Sequence, residues 1–148
     1  LLTVGEAAAQ AAFDARWGAR AAALPRLRGC LAPLATGMAW RGLRAFAFAG
    51  IAEPARFFAA LRAEGAEVVA ERPLADHQPV PPALLRRLEA EARALRAQLV
   101  TTEKDAARLD PALRARVLVL PVRLRVEDWA PLDARLDPLL QPQGSSAS

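Results

Sequence analysis

An apolar run from Leu43 to Ala49 ends at Gly50, and Pro54 then opens an amphipathic stretch that stops at Gly65. A two-residue apolar period giving way to a helical one over so few residues is the pattern of a strand feeding a helix. Phe46 and Phe48 fall on one face of that strand, and Pro54 suits a first helical turn, where its missing N–H costs nothing. The exchange recurs along the chain. Leu1 to Val4 predicts a short strand. Residues 6 to 17 predict a helix with Phe13 and Trp17 one turn apart and Gly18 as its stop, and Leu24 to Leu31 predicts a weaker strand. Pro33 to Gly42 reads as a connector and Glu67 to Ala70 as a strand.

Pro73, Pro79, Pro81 and Pro82 stiffen the loop that follows. A helix is predicted from about 82 to 96, with Leu84, Leu88, Ala92 and Leu95 as its apolar stripe and Glu89–Arg93 as an exposed pair. Gln98 to Thr101 predicts a strand, and Thr102 to Asp105 a capping box opening a short helix to Leu109. Arg116 to Val126 is apolar with Pro121 inside it, which implies an edge strand or two strands broken at the proline. This order predicts an α/β fold, a three-layer sandwich with a mostly parallel sheet.

A chain of 148 residues suits one domain that buries about 70% of its unfolded surface. Much of the 53% apolar fraction is alanine and only 5% is aromatic, so Leu, Val and Ala should build the core. Trp17, Trp40 and Trp129 are expected as packing anchors and Cys30 as a small buried apolar residue. The formal charge is +4, carried by arginines with Lys104 as the one lysine. These arginines are scattered among carboxylates without interleaved aromatics, which argues against nucleic acid as a partner. A basic surface is compatible with anionic lipid. A lone cysteine makes no intramolecular disulfide, in keeping with a reducing compartment. No signal peptide and no run of 18 or more apolar residues is present, so a soluble, cytoplasmic domain is expected. The opening at Leu1, inside a predicted strand, suggests that the sequence was cut from a longer one. The Gly/Ser-rich stretch 141–148 is expected to be a disordered tail.

Three segments can carry chemistry. Gly50 begins a strand-to-helix turn, either a tight turn needing close approach or a seat for an anion. Asp76-His77 contains the single histidine, placed after a strand where α/β proteins hold ligand groups. It reads as a proton-transfer residue or as an exposed or structural one. Thr101-Thr102-Glu103-Lys104-Asp105 is either a capped helix start or a polar site at the end of a strand. The phosphate loop G-x-x-x-x-G-K-[ST] is absent, and Lys104 has no glycines around it.

Together, Ala49-Gly50-Ile51 with Pro54, Phe57-Phe58, Leu61 and Gly65, then Asp76-His77, then Thr101 to Asp105 with Arg108-Leu109, resemble the tetraacyldisaccharide 4'-kinases in order and spacing. The resemblance runs from about residue 1 to 127. It implies the C-terminal domain of a P-loop-related, membrane-associated kinase at the cytoplasmic face of the bacterial inner membrane. Such an enzyme uses ATP and Mg²⁺ to phosphorylate the 4'-hydroxyl of a tetraacylated disaccharide 1-phosphate, giving lipid IVA. ATP and Mg²⁺ would be held mainly by an N-terminal P-loop domain outside this sequence, with 1–42 belonging partly to the linker between the two. His77, with Asp76 beside it, would support the catalytic base. Gly50, Thr102, Glu103, Lys104 and Asp105 would line or brace the cleft. The sequence departs from the family at Leu74 and Val80, where an aromatic and a tyrosine are common. The competing reading is a non-catalytic α/β binding or interaction domain derived from that fold.

Overall fold

The computed structural model describes residues 1 to 140. In chain order the elements are β1 (Leu2–Val4), α1 (Ala7–Ala21), β2 (Leu27–Pro33), β3 (Arg44–Ala49), α2 (Pro54–Ala63), β4 (Glu67–Pro73), α3 (Pro82–Ala94), β5 (Gln98–Thr102), α4 (Glu103–Ala107), α5 (Pro111–Arg114), β6 (Leu118–Leu120), β7 (Val122–Val126) and α6 (Ala130–Leu140). The α/β class and the parallel sheet are as expected. The strands, however, divide between two sheets, β1-β2-β7 and β4-β3-β5-β6. Two compact units carry them: Pro33–Val122, and Leu1–Ala32 with the residues from Arg123 onward. Pro121 marks the division, since the apolar run 116–126 breaks there into β6 of one sheet and β7 of the other.

In the larger unit every strand pair is parallel. β3 lies at its centre and shows why. Ala45, Ala47 and Ala49 face a cluster with Phe57, Phe58 and Leu61 of α2, plus Trp40 and Val100. On the other face, Phe46 and Phe48 pack with Leu85, Leu88 and Ala92 of α3, plus Leu99 and Leu109. Small strand residues thus receive bulky helix residues, and bulky strand residues meet the second helix. Each fully buried Phe or Leu contributes about 1.5–3 kcal/mol relative to exposure. Gly65 ends α2 with φ 90°, and Ala66 N–H bonds Leu61 O at 3.1 Å, a closure that a left-handed glycine permits.

The smaller unit is built differently. β1 pairs parallel with β2, placing Thr3 beside Arg28 and Val4 beside Gly29. Thr3 Oγ1 donates to Gln10 Oε1 at 2.7 Å and accepts from Arg26 Nε at 3.2 Å. Buried Gln10 in turn donates to Thr3 O and Gly29 O. α1 therefore lies on its sheet through hydrogen bonds more than through apolar contacts.

Several local expectations are corrected. α1 runs through Gly18 to Ala21; an interior glycine costs only about 1 kcal/mol, and the alanines around it offset that. The buried stripe of α3 is Leu85, Leu88 and Ala92, while Leu95 is the exposed C-cap, because α3 ends at Ala94, two residues earlier than predicted. Glu89 is held by Arg116 at 2.5 Å in place of the local pair with Arg93. Of the tryptophans, Trp40 is buried, whereas Trp17 and Trp129 are exposed; the Arg16 and Arg20 guanidinium groups lie 5.3 and 5.7 Å from the Trp17 ring. Cys30 is half-buried. α5 and α6 were not anticipated, and the expected tail 141–148 lies outside the described residues.

Candidate functional site

The sheet order β4-β3-β5-β6 contains a change of direction. After β3 the chain adds β4 on one side, then crosses back to add β5 and β6 on the other. Open α/β sheets bind ligands outside the carboxyl ends of their strands at such a switch point. Here those ends are Ala49, followed by Gly50, and Thr102, followed by α4.

Asp105 is the centre of what lies there. Its side chain is buried, and Oδ2 accepts from Gly50 N at 3.0 Å and from Thr102 Oγ1 at 2.7 Å. Thr102 Oγ1 accepts from Asp105 N at 3.1 Å, so Thr102 is the N-cap of α4 as predicted. Half of the capping box forms. The acidic side chain turns inward to β3 and leaves the cap's own backbone N–H to others. Oδ1 of Asp105 accepts from Arg108, one helical turn on.

Gly50 is required by space. A Cβ at this position would stand 3.1 Å from Asp105 Oδ1 and 3.2 Å from Ala75 O. Of the two readings of this residue, close approach is the one with geometry behind it. Gly50 O accepts from His77 N at 3.0 Å and from Arg108 Nη2 at 3.2 Å, so three segments meet on one peptide.

His77 sits beyond β4 with φ 58°, a left-handed conformation uncommon for a side-chain-bearing residue and often found at functional sites. Its Nδ1 lies 3.1 Å from Arg108 Nη1. Asp76 Oδ1 is 3.8 Å from His77 Nε2, beyond hydrogen-bonding distance, with both side chains exposed. The adjacent pair therefore serves different partners. Glu103 Oε2 accepts from Val122 N at 3.1 Å, and Lys104 is exposed on α4. Gly50, His77, Thr102 and Asp105 are thus brought together, whereas Asp76, Glu103 and Lys104 stand at the margin. The residue that joins them is Arg108, which in the sequence merely follows the motif. Its i,i+3 spacing from Asp105 was the visible signal.

Relatives decide the family. The family model for tetraacyldisaccharide-1-P 4'-kinase matches residues 2–141. The chain belongs to that family. A tetraacyldisaccharide 4'-kinase of Dinoroseobacter shibae is 57% identical over 139 residues, which cover 94% of this chain and 41% of the relative. That of a Jannaschia species is 50% identical over 140 residues, covering 95% and 42%, and that of Methylorubrum populi is 45% identical over 136, covering 92% and 41%. The chain therefore spans about two-fifths of the length of these curated relatives. No solved structure matches it.

Membership in a 4'-kinase family implies ATP and Mg²⁺. Among the described residues no three His, Cys, Asp or Glu side chains converge as a metal-ligand set. Asp105 is already saturated by Gly50, Thr102 and Arg108, and Asp76 is exposed, with His77 Nε2 3.8 Å away. These residues do not fit a divalent-metal site, and no phosphate loop is present in the sequence. No catalytic step through either group follows from this chain. No helix among the described residues is long and apolar enough to cross a membrane.

Proposed function

We propose that this chain is the C-terminal part of an enzyme that transfers the γ-phosphoryl group of ATP to the 4'-hydroxyl of tetraacyldisaccharide 1-phosphate, giving lipid IVA. The carrying observation is the convergence of Gly50, His77, Asp105 and Arg108 at the switch point of the four-stranded sheet, in a member of this kinase family. In phosphoryl transfer the hydroxyl oxygen attacks phosphorus, its proton leaves to a base and ADP departs; positioning and charge neutralisation supply most of the rate. On this reading the larger unit, Pro33–Val122, forms one wall of the active site. His77 supports removal of the hydroxyl proton, and Asp76 lies beside its outer nitrogen. ATP and Mg²⁺ are held mainly by a P-loop domain outside this chain, and the whole enzyme works against the inner face of the bacterial inner membrane on its lipid substrate.

Two experiments test this. The 148-residue chain, supplied with ATP, Mg²⁺ and the disaccharide 1-phosphate, should show no turnover; measurable lipid IVA would refute the division of labour. Grafted in place of the matching segment of the Dinoroseobacter kinase, it should restore activity. In that hybrid His77→Ala should lower kcat about 10²-fold, the lower end of what proton-transfer groups contribute. An unchanged kcat removes His77 from the reaction.

A further inference from the structure

We propose that Asp105 and Arg108 are positioning residues that lock His77 in one tautomer. The ring proton sits on Nε2 and points outward, so His77 meets its partner as a hydrogen-bond donor. This deepens the proposed function, since the partner is an anionic oxygen at the kinase site.

The argument starts from Arg108. A guanidinium has only donors and does not deprotonate in proteins. At 3.1 Å from Arg108 Nη1, His77 Nδ1 must offer its lone pair. A neutral imidazole that accepts at Nδ1 carries its hydrogen on Nε2. A general base acting through Nε2 would need the lone pair that this tautomer lacks.

Both ends of the contact are anchored. Arg108 Nη2 holds Asp105 Oδ1 and Gly50 O, and the Asp105 carboxylate is itself fixed in the core by Gly50 N and Thr102 Oγ1. The left-handed backbone at His77 is tied by its own N–H to the same Gly50 carbonyl. One peptide therefore sets the distance between arginine and imidazole. Stability alone does not account for this. Asp105 needs a single guanidinium nitrogen, and a further bond from Arg108 to a ring that is 74% exposed adds little to folding. What it does add is a fixed choice of nitrogen, and Nε2 is left facing outward near the Asp76 carboxylate.

The chain contains one histidine, so a long-range ¹H–¹⁵N spectrum reads this ring without ambiguity. With the ring neutral, the wild-type chain should show a pyridine-type Nδ1 and a pyrrole-type Nε2. Arg108→Ala should move both signals toward the averaged values of a tautomer mixture. In the grafted kinase Arg108→Ala should lower kcat about 10-fold with KM nearly unchanged. The His77→Ala, Arg108→Ala double variant should be no slower than His77→Ala alone. A protonated Nδ1 in the wild-type chain overturns the proposal without recourse to any variant. So do ring signals unmoved by Arg108→Ala, or losses that add in the double variant. Failure of the kinase reading looks different: the wild-type hybrid has no turnover while the ring signals still respond to Arg108.

Discussion

The two sheets of this chain are stabilised in opposite ways. The four-stranded sheet buries alanines on one face and phenylalanines on the other, each against its own helix. In the three-stranded sheet the face toward α1 is polar, held by Thr3, Gln10, Asp14 and Arg26. The strand register puts Leu2, Val4 and Leu31 on the opposite face, where they are 46%, 51% and 58% exposed. Apolar burial is non-directional and scales with area, while a hydrogen bond nets only about 1 kcal/mol because water competes for both partners. The larger unit should thus be the stable scaffold, and it is the one that carries the candidate site.

The largest expected effect tests that scaffold. Phe48→Ala should cost about 3–5 kcal/mol, read from the urea midpoint followed by fluorescence of the buried Trp40. A loss under 1 kcal/mol, itself only about the value of a single net hydrogen bond, would contradict the assigned core. Asp105→Ala should cost about 2–3 kcal/mol, because the buried Gly50 N–H loses its acceptor along with a charged partner. Gln10→Ala, in the smaller unit, should cost about 1–2 kcal/mol, and it should speed amide exchange at Gly5 and Leu27 while leaving Phe46 and Val100 untouched. Faster exchange in both units would erase the contrast between them. The smallest effect is expected from Leu31→Thr, within about 0.5 kcal/mol. A loss comparable to Phe48→Ala would mean that this face is covered in solution.

How much of this was legible beforehand varies with the range of the interaction. The β3–α2 unit, the cap at Thr102 and the break at Pro121 were readable because each depends on neighbours a few residues apart. Gly50 was readable as a residue needing close approach, though not what approaches it. Asp105 stands beside Glu103 and Lys104 in the sequence, and the fold separates them: one is buried, one accepts from Val122 N and one is exposed. Helical periodicity alone could not tell them apart, since α4 spans barely a turn and a half. The Glu89–Arg93 pair was the favoured local choice, but Arg116, far along the chain, took its place.

By itself the sequence determined the α/β class, the order of strands and helices through α4, and the motifs that resemble the tetraacyldisaccharide 4'-kinase family. The class and the order rest on local periodicity and turn chemistry, and the family on resemblance. Only the tertiary structure decided that the strands form two sheets, and that Arg108 links buried Asp105 to exposed His77. The strand pairings and the Arg108–His77 contact join residues distant along the chain, and the loop-closure entropy they cost is offset only when the parallel strands pair.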